Sequence, residues 1–116
     1  MPRHDPNCIF CKIVAGDIPS RKVVEDDDLL VFHDIAPWAP VHVLVIPKEH
    51  VPTLYDTEGR HAPLLGRMLA MAPDLMRQLG VTRGFRVIVN TGEDGRQEVP
   101  HLHLHVMGGP RPWAKG

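Results

Sequence analysis

Histidine and apolar residues alternate without a break from His101 to Val106, in the segment HLHLHV. Because successive side chains of a β-strand point to opposite faces, this alternation predicts a strand with three imidazoles on one face, spaced about 7 Å apart. Leu102, Leu104 and Val106 would lie on the other face and enter the core. Packing alone does not explain three histidines in register, so this face predicts a functional site. Two chemistries remain open for it: a metal site that activates water, or nucleophilic attack by an imidazole.

The rest of the chain predicts a small α+β domain. Five segments have strand patterns: Lys22–Glu25, Leu29–Asp34, Val41–Ile46, Phe85–Asn90 and His101–Met107. From about Glu58 to Leu79, apolar residues recur at helical spacing. Pro73 should kink this helix, because proline cannot donate a backbone hydrogen bond. A chain of 116 residues has room for one domain, which we assign to residues 1–116.

Charge and hydropathy exclude several classes of function. The chain has 13 Lys and Arg residues against 14 Asp and Glu, a net charge of −1, so it lacks the basic excess that holds a nucleic-acid backbone. Its most apolar run, Val41–Ile46, is too short to span a membrane. The first fifteen residues lack the uninterrupted apolar stretch of a secretory signal. We therefore expect a soluble, cytoplasmic protein that binds neither nucleic acid nor membrane.

Two cysteines occur near the start of the chain as Cys8-x-x-Cys11. In a reducing compartment this spacing indicates a metal or redox pair rather than a structural disulfide. A thioredoxin-like redox pair would be accompanied by a βαβ pattern, and the absence of one here favours a metal. Two thiolates and two imidazoles are a common ligand set for zinc. A reduced, metal-free pair in the core is the remaining alternative.

Four blocks of sequence have a recognisable order and spacing. They are Cys8–Pro19, Phe32–Pro47, Gly84–Asn90 and Gln97–Gly109, the last containing HLHLHV followed by MGG. Together they resemble the histidine triad (HIT) superfamily, and within it the branch of purine nucleoside phosphoramidases. The resemblance implies a five-stranded antiparallel sheet with one long helix. It also implies a homodimer in which two such sheets form one continuous ten-stranded sheet.

The same resemblance implies a hydrolase of purine nucleoside 5′-phosphoramidates or aminoacyl-adenylates. The reaction would pass through a nucleotidyl-histidine and release a nucleoside monophosphate and an amine. In this chain His103 would attack phosphorus, His105 would contact the phosphate and help to protonate the leaving group, and His42 would support the cluster. Asp34 would accept hydrogen bonds from the ribose hydroxyls.

Nine further residues are implied to surround the nucleotide. The apolar ones, around the base, are Ile9, Phe10, Ile18, Phe32 and Ile35. The polar ones, around the phosphate and leaving group, are Asn90, Arg96, Gln97 and Glu98. A carboxylate beside the phosphate would repel it, so we expect the Glu98 side chain to point away and its backbone N–H to face the ligand.

The resemblance to zinc-carrying HIT proteins also implies a structural Zn²⁺ and no organic cofactor. The ligands would be Cys8, Cys11, His50 and His101. His101 would then turn to the metal, while His103 and His105 face the phosphate. No role beyond the surface or a loop is assigned to the other histidines, His4, His33 and His61.

Two other functions stay open. One is a dinucleoside polyphosphate hydrolase of the same fold, which would need room for a second nucleotide. The other is a nucleotide-binding adaptor with slow turnover, whose partner protein matters more than its catalysis. Turnover of an adenosine phosphoramidate measured beside that of diadenosine tetraphosphate would separate the three functions.

Overall fold

The computed structural model describes residues 3–115. Met1, Pro2 and Gly116 lie outside the described residues. Met1 and Pro2 belong to the first fifteen residues, in which no secretory signal is predicted. The helices are α1 (Ile9–Ala15), α2 (Ala62–Ala70) and α3 (Ala72–Gln78). The strands are β1 (Lys22–Glu25), β2 (Leu29–His33), β3 (Val41–Pro47), β4 (Phe85–Val89) and β5 (Leu104–Gly108). Short 3₁₀ turns at Leu54–Asp56 and Gly59–His61 precede α2. Over residues 3–115, none of the helices combines the length and the apolar character that crossing a membrane requires.

The strands form one five-stranded sheet in the order β1-β2-β3-β5-β4. Every neighbouring pair is antiparallel. The predicted α+β class, with an antiparallel sheet and a long helical segment, is therefore confirmed. In the register of β3 against β5, Leu44 lies opposite His105 and His42 lies opposite Met107.

Both faces of the sheet are covered, which explains why β3 is apolar on each side. Helices α2 and α3 cover one face with Met68, Leu75 and Met76, which pack in one cluster with Val43 and Val45 of β3. Helix α1 covers the other face. Its cluster consists of Cys8, Phe10, Cys11, Ile13, Leu30, Phe32, Leu44 and Ile46. His42 and His105 share this second face, because side chains alternate along each strand.

The predicted long helix is present as two consecutive helices. α2 ends at Ala70 and α3 begins at Ala72, with Met71 as the cap between them. The break is the expected effect of Pro73, which cannot donate a hydrogen bond to the carbonyl four residues earlier. The predicted kink is thus confirmed. The first turn, Gly59–His61, is 3₁₀ rather than α-helical.

Helix α1 was not expected from the sequence. The Cys8 side chain caps its N-terminus by accepting a hydrogen bond from the Cys11 N–H at 3.4 Å. Gly16 ends the helix with a φ of 85°, a conformation that glycine adopts without steric cost. A helix of seven residues is too short for its periodicity to stand out from the sequence.

Two expectations about histidines are wrong. The last strand begins at Leu104 rather than His101, so the three imidazoles do not line one face of a continuous strand. His61 is buried rather than exposed. Its Nδ1 accepts a hydrogen bond from the Glu58 N–H at 2.9 Å, and its Nε2 lies 3.3 Å from each Glu49 carboxylate oxygen. The His61 side chain therefore caps the 3₁₀ turn Gly59–His61 that precedes α2.

Candidate active site and metal centre

The side chains of Cys8, Cys11, His50 and His101 meet in one buried cluster. The His101 Nδ1 lies 3.3 Å from the Cys8 Sγ and 3.6 Å from the Cys11 Sγ. The His50 Nδ1 lies 3.4 Å from the Cys11 Sγ and 3.3 Å from the His101 Nδ1. Tetrahedral zinc with bonds of 2.0 to 2.3 Å separates its ligand atoms by roughly 3.3 to 3.8 Å. The donor set and its spacing therefore fit a tetrahedral zinc ion.

A hydrogen bond orients the His101 imidazole for metal binding. The His101 Nε2 lies 2.8 Å from the Pro47 carbonyl oxygen, which can only accept, so the proton is on Nε2 and the Nδ1 lone pair faces the thiols. The His50 Nε2 lies 3.7 Å from an Asp5 carboxylate oxygen, close enough for an ion pair but too far for a hydrogen bond.

Protonation in the cluster argues against a redox pair. Burial raises the pKa of the Cys11 thiol to about 11, whereas reactive cysteines have lowered pKa values. Burial also lowers the pKa of His101 to about 4, so its imidazole is neutral at pH 7 and available as a ligand. A bound cation would stabilise the Cys11 thiolate, which burial otherwise disfavours.

A cleft of about 310 Å³ opens beside this cluster, on the α1 face of the sheet. It brings together ten of the predicted site residues: Ile9, Phe10, Phe32, Asp34, Ile35, Asn90, Arg96, Glu98, His103 and His105. Ile35 is fully exposed and Ile9 is half exposed, so both apolar side chains are open to a ligand. Apolar side chains that line an open cleft suit contact with a flat ring.

Two predicted nucleotide contacts are not in the cleft wall. Ile18 packs, partly buried, against the cluster under α1. The Gln97 side chain accepts a hydrogen bond from the Gly92 N–H at 2.9 Å and donates to the carbonyl oxygens of Pro52 at 2.6 Å and Val99 at 2.9 Å. Gln97 therefore braces the loop that carries its neighbours, and its side-chain donors are directed to the backbone rather than to the cleft.

His103 is held in the tautomer of a nucleophile. Its Nδ1 lies 2.7 Å from the His101 carbonyl oxygen, an acceptor, so Nδ1 carries the proton and Nε2 keeps a lone pair. The Phe10 ring packs edge-on against the imidazole, with ring centroids 5.2 Å apart. Burial lowers the pKa of His103, against smaller opposing effects of this hydrogen bond and the Asp34 and Glu98 carboxylates. The imidazole is therefore neutral at pH 7.

His105 is held in the opposite tautomer. The Trp38 N–H donates to the His42 Nδ1 at 3.0 Å, so the proton of neutral His42 is on Nε2. That nitrogen lies 2.9 Å from the His105 Nδ1 and donates to it. The proton of His105 is then on Nε2. Burial, with the nearby His103 and His42, lowers the pKa of His105 to about 4.

These hydrogen bonds decide what the cluster of Asp34, His42 and His105 can bind. Asp34, His42 and His105 also bring three ligand atoms together. Because the His42 Nε2 carries a proton, that nitrogen has no lone pair for a cation, and the group acts as a hydrogen-bonded chain. His103 and His105 instead present one basic and one acidic Nε2, with ring centroids 4.9 Å apart. This pairing suits attack on phosphorus with donation to its oxygens or to the leaving group.

The other polar groups lie around this pair. An Asp34 carboxylate oxygen accepts the Ala36 N–H at 2.8 Å, which fixes the side chain at the cleft wall. Glu98 is exposed at the rim, and its carboxylate is near enough to raise the pKa of His103 slightly against the effect of burial. That this side chain points away from a bound phosphate stays a prediction.

Several cleft residues were missed by the sequence reasoning: Ile13, Ala36, Trp38, Leu44 and Val99. Ile13 lies on the unexpected helix α1. Trp38 follows Pro37 in a loop, and nothing in the sequence indicates that its ring reaches His105. An aromatic residue between two prolines, next to Asp34, is the one signal that could have drawn attention to it.

Comparisons with known proteins find relatives in sequence and in fold. The profile of the HIT domain family matches residues 15–111. The chain is 44% identical over 102 residues to the purine nucleoside phosphoramidase of Escherichia coli K12, which covers 87% of this chain and 86% of that protein. It is 45% identical over 107 residues to adenylylsulfatase HINT1 of Arabidopsis thaliana, covering 90% and 73%.

A zinc-binding relative and a solved structure extend these matches. The chain is 46% identical over 103 residues to the 14 kDa zinc-binding protein of Brassica juncea, covering 87% of this chain and 91% of that one. The crystal structure of a histidine triad protein from Clostridium difficile superposes with a TM-score of 0.88 and is 43% identical. That match covers 94% of this chain and 96% of the other.

Proposed function

The chain belongs to the HIT domain family, and from that premise we propose that it is a hydrolase of purine nucleoside 5′-phosphoramidates and related adenylates. The observation that carries this proposal is the pair of complementary tautomers, with a lone pair on the His103 Nε2 and a proton on the His105 Nε2. A relative that is 44% identical is named a purine nucleoside phosphoramidase, which supports the choice of substrate class.

The reaction begins when the His103 Nε2 attacks the phosphorus atom and forms a P–N bond. The bond from phosphorus to the leaving amine then breaks. The anionic phosphate raises the pKa of His105, so that on substrate binding His105 takes up one proton from solvent and then passes its Nε2 proton to the departing amine. Water next attacks the nucleotidyl-His103, and His105 takes a proton from that water. The products are the nucleoside monophosphate, the amine and the original histidines.

Covalent trapping tests this mechanism. We expect a nucleoside monophosphate adduct on the peptide that contains His103, seen by mass spectrometry after rapid quenching in alkaline denaturant. His103→Ala should lower kcat at least about 10³-fold, or about 4 kcal/mol of barrier, and retain nucleotide binding. His33→Ala, a half-buried histidine on β2, is the matched control. An adduct on His105, or near-normal turnover in His103→Ala, would contradict the mechanism.

The leaving group is tested by a substrate panel. A cleft of about 310 Å³ is at the small end for ligand sites, and a relative is named a purine nucleoside phosphoramidase, so we favour a substrate with one nucleotide. We expect kcat/KM to be higher for adenosine phosphoramidate than for diadenosine tetraphosphate. Adenylyl sulfate belongs in the same panel, because one relative is named an adenylylsulfatase. Binding without turnover of any of these compounds would favour the adaptor function.

We propose a homodimer joined along β4. This strand forms one edge of the sheet over the described residues, and Val87, Ile88 and Val89 are only partly buried. An exposed apolar edge strand favours pairing with another strand. Antiparallel pairing of two β4 edges would give a continuous ten-stranded sheet. Sedimentation equilibrium should report about twice the chain mass of 13.0 kDa, and a monomer at micromolar concentration would refute the dimer.

We also propose that Cys8, Cys11, His50 and His101 hold a structural zinc ion. These residues join α1 to the segment after β3 and to the start of the histidine segment. The ion would supply cross-links between parts of the chain that are distant in sequence, and the chemistry at phosphorus would be left to His103 and His105. Reduced thiol ligands fit a reducing compartment, which supports a cytoplasmic protein.

A further inference from the structure

We propose that Trp38 is a positioning residue of this active site: its indole and its backbone N–H together hold His105 with the donor nitrogen available to substrate. The inference rests on the proposed function for its catalytic meaning, but its structural part concerns the protein without substrate. Trp38 is half-buried, in the loop between β2 and β3, and it lines the cleft.

The indole lies flat against His105. The ring centroids are 4.7 Å apart and the planes differ by 20°. The other two rings around His105 are inclined to it, His103 by 68° and His42 by 48°. Trp38 is thus the ring in the described cluster that covers a face of the His105 imidazole. Rotation of that imidazole out of its plane would collide with the indole, so the contact restricts its orientation.

The backbone of the same residue sets the direction of the hydrogen-bond chain. The Trp38 N–H donates to the His42 Nδ1 at 3.0 Å, and the His42 Nε2 donates to the His105 Nδ1 at 2.9 Å. Reversal of the chain would place a proton on the His42 Nδ1, facing the Trp38 N–H, which is unfavourable because two donors would meet. Any displacement of the Trp38 loop would weaken this preference as well as the stacking.

Trp38 is itself held by the C-terminal segment. The Lys115 N–H donates to the Trp38 carbonyl oxygen at 3.2 Å, and the Lys115 Nζ lies 5.1 Å from the indole centroid, within the range of a cation–π contact. The loop is therefore anchored through Trp38 to Lys115 as well as to His42. These contacts fix the position of the indole. Trp38 can orient His105 only if its own ring is fixed.

A nuclear magnetic resonance experiment on the substrate-free protein tests the structural part. The ¹⁵N shifts of the two His105 ring nitrogens report which one carries the proton. We expect a protonated Nε2 in the wild type and in Trp38→Phe, which keeps a flat ring. Trp38→Leu, which keeps the backbone N–H but has no flat ring, should move both shifts toward the average of the two tautomers. Trp113→Leu, at the other tryptophan, is the matched control and should leave His105 unchanged.

Steady-state kinetics with adenosine phosphoramidate test the catalytic part. We expect Trp38→Leu to lower kcat by about 10- to 100-fold, since a misplaced catalytic group costs rate. KM should change little and Trp38→Phe should recover most of the loss. Unchanged His105 shifts in Trp38→Leu would overturn the proposal, and so would a rise in KM at normal kcat, which would make Trp38 a substrate contact. If the shifts move but the wild type turns over no phosphoramidate, the positioning stands and the proposed function fails.

Discussion

Acidification should destabilise this protein through His105, and the structure gives the size of the effect. His105 is buried against Trp38, His42 and His103, with 6% of its surface exposed. Burial, followed by the charges of His103 and His42, lowers its pKa from 6.5 to about 4. In the unfolded chain the same imidazole titrates near 6.5. Between these two values the unfolded state binds a proton that the folded state does not.

The sign of the pH dependence follows from this difference. Stability rises with pH wherever the unfolded state binds more protons. The contribution of His105 is therefore complete above pH 6.5 and is lost as pH falls toward 4. A shift of about 2.5 pKa units corresponds to about 3 kcal/mol, at about 1.4 kcal/mol for each unit. For a domain whose total stability is about 5 to 15 kcal/mol, this loss is large.

Urea unfolding at a series of pH values measures the effect. The wild type should lose about 3 kcal/mol more of its free energy of unfolding between pH 7 and pH 4 than His105→Gln does. Protonation of metal ligands affects both proteins and cancels in the comparison. His4→Gln, at an exposed histidine, is the control and should follow the wild type. If the wild type and His105→Gln lose the same free energy between pH 7 and pH 4, the assignment of a buried, neutral His105 is wrong.

Three further predictions concern the metal cluster, the core and the rim of the cleft. Protein purified without added metal should contain about one zinc per chain, and elemental analysis that finds almost no metal would refute the zinc site. Chelation or Cys11→Ser should lower the free energy of unfolding by several kcal/mol. Phe10→Ala should cost about 3 to 5 kcal/mol in urea unfolding, because Phe10 packs edge-on against Phe32 and His103; a loss below about 1 kcal/mol would show that the ring is not part of the core. Glu98→Ser should raise nucleotide affinity less than about tenfold in calorimetry, since an exposed charge is screened by water; a larger gain would place the carboxylate against the phosphate.

Much of the fold follows from local sequence patterns. The apolar segment Val41–Ile46 predicts a central strand, and the structure places β3 between β2 and β5 with both faces covered. Pro73 predicts the break between α2 and α3, because the missing N–H is a property of the residue itself. Patterns of this kind depend on side-chain alternation and backbone chemistry, so they can be read without knowledge of distant contacts.

The sequence also predicted which residues belong to the candidate site. Ten of the predicted nucleotide contacts line one cleft, and Cys8, Cys11, His50 and His101 meet in one cluster. The resemblance to the HIT superfamily predicted these residues. Their residue types restrict the chemistry further, since thiols and imidazoles suit zinc, and a neutral imidazole suits attack on phosphorus.

Only the tertiary structure decided the protonation and orientation of these groups. The nucleophilic tautomer of His103 depends on the His101 carbonyl, and the donor tautomer of His105 depends on Trp38 through His42. His101 lies outside the predicted strand: its N–H donates to the Val99 carbonyl oxygen, and its Nδ1 lies 3.3 Å from the Sγ of Cys8, 93 residues earlier in the chain. Alternation along a strand describes the chain's own backbone, whereas a hydrogen bond or a metal ligand requires a partner that folding brings from elsewhere. Which ring nitrogen carries a proton is therefore set by neighbours that are adjacent in space and not in sequence.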